Sequence, residues 1–440
     1  MRESVADISS LNWKTKTVEQ VFDFYSTASY PRDKQCDSST ENEVIKYIHY
    51  GDIHTKFNII LDISKSQVPI IPKDLQNGFE LLKDGDLIIA DTSEDYDGVG
   101  KCVEVINVND SPTISGLHTL MLRQKEDDFV DGFKGYYFSS EYIRNKLLRI
   151  VTGIKVYSIN KTSLAKVKLY IPQKAEQTAI ANILSKVDEA IAAVQTSIDA
   201  AERLKKSLMQ NLLTGKMKPD GTFRTPEEFY IDEKFGKVPV GWEVKKLKEV
   251  CTNNGEYGAN ASAIPFNGLT PRYIRITDID DFGNLIDEDK ATIDAENYDK
   301  YLLQDDDFLF ARTGDTVGKS LLYKRAQMGM AVYAGYLIKY TFDKEKIIPE
   351  YFNVIAQSEF FERFKVAMKR IGAKPNINSG EYSSFKFLLP KTTQEQLAIL
   401  SRFNDVDTII SKNNSKLIVL GKLKKSLMQN LLTGKVRINN

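Results

Sequence analysis

The 440-residue sequence has little of what builds redox, metal and covalent sites. Its three cysteines, Cys36, Cys102 and Cys251, are far apart and form no CxxC pair, which excludes a disulfide framework and fits a reducing compartment. Its three histidines, His49, His54 and His118, are too few to complete a zinc cluster of ordinary spacing with them. Nothing reads as GxSxG or HExxH, so no nucleophile–base constellation or metalloprotease helix can be written. Long hydrophobic runs are missing too. The longest nearly apolar stretch, Met328 to Ile338, falls well short of the ~20 residues that span a bilayer. The opening MRESVADISSLNWK lacks the apolar core of a signal peptide. Net charge is also absent, because 60 basic residues balance 60 acidic ones. That balance excludes a polybasic coat protein but leaves room for a local phosphate-binding patch. The expectation is a soluble cytoplasmic protein of about three domains, with no membrane partner.

What the sequence does have is a core, with 42% hydrophobic and 10% aromatic residues, and a repeat. LKKSLMQNLLTGK occurs at Leu204–Lys216 and again, without a difference, at Leu423–Lys435, 219 residues later. The match runs back without gaps to Gln177 and Gln396. Weaker echoes extend upstream. The two tryptophans, Trp13 and Trp242, stand in matching contexts. YIHYGDI (47–53) parallels YIRITDI (273–279), and DLIIADTSEDYDGVGKC (86–102) parallels DFLFARTGDTVGKS (307–320). GIKVYSINKTSLAKVKLYIP (153–172) parallels GAKPNINSGEYSSFKFLLP (372–390). The order is therefore globular unit, helix, globular unit, helix.

In the first helix Ile180, Leu184, Val187, Ile191, Val194 and Ile198 step by alternating four and three, the a/d seam of a coiled coil. Ile399, Phe403, Val406, Ile410, Asn413 and Leu417 occupy the same positions in the second. A partner helix is the expected cover for such a seam, and Asn413 within it either fixes register or faces solvent. Gly215 and Gly434 are placed to end the helices in left-handed caps. In the globular units FNIILDI, DLIIA, KVKLYI, DFLFA, YLIKYTF and FKFLLP read as strands, while SEYIRNKLLRI and SEFFERFKVAMKRI read as helices. The fold class is α+β. Boundaries are expected at 1–172 and 217–391 for the globular parts, the second with a Pro-containing connector (217–242), and at 173–216 and 392–440 for the helices.

TGDTVGKS (313–320) approaches a phosphate-binding loop, but GxxxxGK followed by Ser or Thr would need glycine at Thr313. A tight glycine turn presenting Arg312, Lys319 and the equivalent Lys101 is the better reading. Asp278–Asp307 holds twelve acidic residues against two basic, read as an acidic face turned from nucleic acid. Positive charge gathers at matching places: Arg144, Lys146 and Lys155 in the first half, and Lys369, Arg370 and Lys374 in the second. Each group precedes a loop with Asn160 or Asn378, and basic and amide side chains together suit phosphates and base edges.

On these residues the chain resembles the DNA-specificity subunit of type I restriction–modification systems. The likeness rests on the paired helices ending LKKSLMQNLLTGK, the P-x-x-x-E-Q helix starts (Pro172 to Gln177; Pro390 to Gln396, one residue longer), the ARTGDTVGKS turn and the NIN loop. It implies two target-recognition domains separated by two long helices forming an antiparallel coiled coil, a pseudo-twofold internal repeat. Each domain would bind half of an asymmetric, split site on double-stranded DNA. The helices would set the spacing and dock two modification subunits, which carry adenine methyltransferase chemistry, together with restriction subunits. No cofactor is expected on this chain; S-adenosylmethionine, ATP and magnesium belong to those partners. The Asn/Asp-Pro-Pro-aromatic methyltransferase motif is absent, in keeping with a subunit that specifies but does not catalyse. The competing readings are a nucleotide hydrolase using the Lys319 turn and a coiled-coil assembly protein without DNA contact.

Overall fold

The computed structural model describes residues 13–36, 44–76, 78–108, 111–233, 235–293, 298–368 and 375–438. Its compact units do not follow the linear chain. Unit 1 combines Met1–Gln195 with Ser415–Asn440, and unit 2 is Thr196–Asn414. Each unit therefore holds one globular domain, the first half of the helix that leaves it, and the last half of the other long helix.

In unit 1 a five-stranded sheet runs in the order Phe22–Tyr25, Thr119–Gln124, Leu87–Ala90, Cys102–Ile106, Ile60–Asp62. All its pairings are antiparallel except Ile60–Asp62 beside Cys102–Ile106. Every residue of Leu87–Ala90 is buried, which is why DLIIA reads as a continuous apolar run and not an alternation. A smaller sheet places Val44–Ile48 parallel to Thr113–Ser115 and antiparallel to Ile70–Pro72. Lys14–Thr17 pairs antiparallel with Lys168–Ile171, bringing the start of the domain to the foot of its helix.

Unit 2 repeats the plan. Its main sheet runs Glu256–Tyr257, Leu337–Tyr340, Phe308–Ala311, Ser320–Leu322, antiparallel throughout, with Phe308–Ala311 buried along its length. A second sheet again contains one parallel pair, Arg272–Ile274 beside Ala331–Tyr333. Trp242–Lys246 pairs with Lys386–Pro390 at the foot of the second helix. The connector is ordered as a hairpin, Phe229–Asp232 against Gly236–Pro239. The basic amphipathic stretches form helices Glu141–Leu148 and Glu359–Met368.

The long helices are Lys174–Leu212 and Thr393–Leu431, each 39 residues, or about 58 Å at the ideal rise. Gly215 (φ 64°) and Gly434 (φ 68°) follow them in the left-handed region, as the sequence expects. The seam is buried near the domains and half-buried at Ile191, Ile410, Asn413 and Leu417, and its cover changes along its length. Ile180 and Leu184 pack into the domain core of unit 1, and Ile399 and Phe403 into that of unit 2. Farther on, the helices cover each other in antiparallel register. Lys424 meets Asp188 at 2.6 Å in unit 1, and Lys205 meets Asp407 at 2.6 Å in unit 2. Asn413 is half-buried, and its amide donates to Ser197 Oγ on the facing helix at 3.1 Å. Among the described residues no helix is long and apolar enough to cross a membrane.

Candidate nucleic-acid interface

Both units build one surface feature from the same parts. The buried central strand ends in alanine, Ala90 or Ala311, and the chain turns over glycine before returning. Gly100 N–H donates to Ala90 O at 2.7 Å, and Gly318 N–H to Ala311 O at 3.0 Å. Gly100 (φ 76°) and Gly318 (φ 86°) need the left-handed conformation, and a Cβ on Gly318 would sit 1.9 Å from the Lys365 side chain. The residue after the alanine is pinned twice. Asp91 N–H donates to His118 O at 3.0 Å, and its carbonyl accepts from Ile159 N at 2.8 Å. Arg312 N–H donates to Tyr336 O at 3.0 Å, and its carbonyl accepts from Ile377 N at 2.9 Å. The loops that the repeat matched, SIN and NIN, are thereby laid against the turn in both units.

The candidate residues divide by what they touch. Lys101 and Lys319 hold the turn down: their ammonium groups donate to His54 O (3.4 Å) and Ile279 O (3.2 Å), and Lys319 also pairs with Asp281 at 3.0 Å. The Lys319 turn leads into a strand, Ser320–Leu322, so the helix N-terminus that a phosphate cradle requires is not there. Asn160 and Asn378 are helix N-caps, accepting from Ser163 N at 2.8 Å and Glu381 N at 2.9 Å. Arg144 turns inward, donating to the carbonyls of Val99 and Asp97, and its desolvation lowers its pKa. Lys146 does likewise. It donates to Lys168 O at 2.7 Å, lies over the rings of Tyr142 and Tyr170, and burial with the nearby Lys168 and Arg149 pushes its pKa down to about 8. Lys155 is exposed beside Ile154, which is 91% exposed on the loop bridged by Thr152 and Ser158. Lys369, Arg370 and Lys374 lie outside the described residues. Arg312 rests its guanidinium on the Tyr257 ring at 4.8 Å.

The acidic stretch is partly turned outward and partly tied to the fold. Asp278 is buried against Arg275, Asp287 pairs with Arg272 and Lys290, and Asp306 with Lys324 and Lys344. Asp307 is buried and accepts from Thr341 Oγ1 at 2.6 Å. Local ion pairs thus offset part of that charge, while Asp281, Asp287, Glu288, Asp289, Asp299 and Asp305 stay exposed.

Two features escaped the sequence reading. The three histidines gather around Tyr50 in unit 1: the ring centroids of His49, His54 and His118 lie 4.5, 5.5 and 5.2 Å from its own. Burial depresses the pKa of His49 and of His54. The other feature is a clamp at each helix start. Glu176 accepts from the Trp13 indole at 3.2 Å and from Arg437 at 2.6 and 2.9 Å. In unit 2 Glu395 accepts from the Trp242 indole at 3.0 Å and from Arg224 at 2.5 Å. The adjoining Gln177 and Gln396 are fully buried, and each joins three backbone groups across the domain. The E-Q pair of the helix starts is thus a docking device.

A family model described as the type I restriction modification DNA specificity domain matches residues 10–203 and 239–420, one copy in each half. The chain belongs to that family. This specificity subunit is 26% identical over 331 residues to the MjaVIII specificity subunit of Methanocaldococcus jannaschii, covering 73% of this chain and 74% of that one. It is 22% identical over 437 residues to the StySPI specificity subunit of Salmonella potsdam, covering 96% and 89%. A type I S subunit from M. genitalium shares its fold, with a TM-score of 0.54, 14% identity and 96% of both chains covered. Family membership makes the role of this specificity subunit DNA recognition in a restriction–modification system, not catalysis.

Proposed function

We propose that the chain recognises a bipartite, asymmetric site on double-stranded DNA, one half through each domain, and directs adenine methylation and restriction by partner subunits. The observation that carries this is the twice-built turn, with one backbone frame and different side chains on it. Two copies of a frame suit the two half-sites, and the differences suit their unlike sequences. The antiparallel helices act as the spacer. Their exposed apolar side chains, Leu204, Leu397, Ile409, Ile418, Val419 and Leu423, support docking of two modification subunits, with restriction subunits joining the assembly. S-adenosylmethionine, ATP and magnesium serve on those partners, and the complex works in the cytoplasm.

The test is to co-express the chain with its modification subunits and map methylated adenines across a genome. One split motif is expected; no motif, or a continuous one, overturns the proposal. Exchanging residues 1–172 for another recognition domain should change one half-site only. Removing a heptad from both helices should shorten the gap between half-sites.

A further inference from the structure

At the pinned residue after the buried strand the two frames coincide while the side chains are opposite in charge. Its backbone is fixed by the same two long-range hydrogen bonds in each unit, those of Asp91 with His118 and Ile159, and of Arg312 with Tyr336 and Ile377. The side chain therefore leaves a rigid element from a fixed point, which reading a base edge requires. Exposed rings flank it: His118, 45% exposed, in unit 1 and Tyr336, 60% exposed, in unit 2.

Arg312 is poised and unsatisfied. The Tyr257 ring, whose hydroxyl accepts from Ser379 N at 3.1 Å, supports its guanidinium plane. Its Nε is buried with no hydrogen-bond partner, and among the described residues no carboxylate lies within ion-pair distance. An arginine stacked on a ring without a carboxylate partner keeps its charge and its terminal N–H groups available to an incoming acceptor. A stacked arginine offers two parallel N–H groups, the pattern that fits guanine O6 and N7. Asp91 presents the converse. Its carboxylate accepts from Thr92 Oγ1 at 2.7 Å, stands 3.9 Å from His118 Nδ1 and is 24% exposed, leaving acceptor capacity for an amino donor.

We propose that this slot sets the base each domain accepts: Arg312 reads a guanine in one half-site, and Asp91, steadied by His118, reads a cytosine through its N4 amino group in the other. This rests on the bipartite DNA reading above and adds to it the residues that discriminate. Lys101 and Lys319, tied to backbone carbonyls, position the turn; the slot specifies.

The experiment maps methylated adenines for the wild type, Arg312→Gln, Arg312→Lys and Asp91→Asn, each co-expressed with the modification subunits. A library of duplexes permuted at every base pair measures binding alongside. Arg312→Gln should lose its guanine preference at one position, a roughly 5- to 150-fold fall in discrimination there, and leave the other half-site intact. Arg312→Lys keeps the charge and loses the fork, so it should relax the same position while preserving the salt dependence of binding. Asp91→Asn should act at one position of the opposite half-site. An unchanged motif in these variants, or a weakening equal across all sequences, overturns the slot while the bipartite reading stands. A wild type with no split motif takes down both.

Discussion

Arg437 lies almost at the end of the chain, yet the geometry makes it a structural member of unit 1. Replacing it with alanine removes two charge-assisted hydrogen bonds to Glu176, at 2.6 and 2.9 Å, and the cation resting 5.7 Å from the centre of the Trp13 ring. Glu176 is 6% exposed, so the variant leaves a buried carboxylate with the Trp13 indole as its remaining donor. Stripping one partner from a fully buried pair costs about 3–5 kcal/mol. Arg437 is itself 41% exposed, and solvent screening reduces that loss. Bonds to charged groups contribute about 1.5–3 kcal/mol, so about 2 kcal/mol is the expected cost. For a unit of this size that lowers Tm by about 4–8 °C. The assay is hydrogen exchange by mass spectrometry with calorimetry on the full chain. Arg437→Ala should lose protection over residues 14–25 and 168–184 and leave unit 2 unchanged. A double-mutant cycle with Glu176→Gln should recover most of the loss as coupling. Unaltered protection over 168–184, or loss confined to the last few residues, would refute the claim that the C-terminal segment closes unit 1.

The same geometry gives three further outcomes. His49 and His54 have pKa values depressed by burial, so the unfolded chain binds protons more readily than the folded one. Their contribution is complete above about pH 6.5 and falls away as pH drops below it; urea midpoints for unit 1 should be lower at pH 5.5 than at pH 7.5, and equal midpoints would contradict it. Lys146, reductively methylated with a labelled carbon, should titrate by NMR near pH 8, and a midpoint near 10.5 would show the side chain to be in water. Asn160→Ala and Asn378→Ala should each cost about 1 kcal/mol as lost N-caps while leaving the methylated motif unchanged; an altered motif would return those residues to the DNA contact.

The repeat makes most of the architecture legible in the sequence alone. Identical spacing of Ile180, Leu184 and Val187 with Ile399, Phe403 and Val406 marks a buried seam, and burial is what such spacing encodes. The central strands are visible because DLIIA and DFLFA are apolar on both faces. The clamps are hidden. Arg437 stands three residues past Gly434, but Arg224 stands nine past Gly215, so no common spacing reveals that both reach a glutamate at a helix start. Charge counts mislead for a related reason. Arg144 and Lys146 are spent on internal carbonyls and part of the acidic stretch on neighbouring cations, and composition does not say where a side chain points. Of the two asparagines, only Asn378 carries a readable cap signal, with Glu381 three residues on.

The identity of the two LKKSLMQNLLTGK segments has a physical explanation in this arrangement. Leu208, Met209, Leu212 and Leu213 pack into the core of unit 2, and Leu427, Met428, Leu431 and Leu432 into the core of unit 1. Each segment thus completes the domain that its own helix does not start from. The receiving frames agree: a tryptophan, a glutamate and a buried glutamine stand at the foot of the helix in both. A substitution in one segment answers to one domain core, yet the matching frames demand the same side chains of both. The slot after the buried strand is under no such demand. Its backbone is held by bonds to His118 and Tyr336 that any side chain permits, so the residue can change from aspartate to arginine without disturbing the fold around it. Identity is held where one frame is met twice, and divergence is allowed at the slot, which on the proposed reading meets a different half-site in each domain.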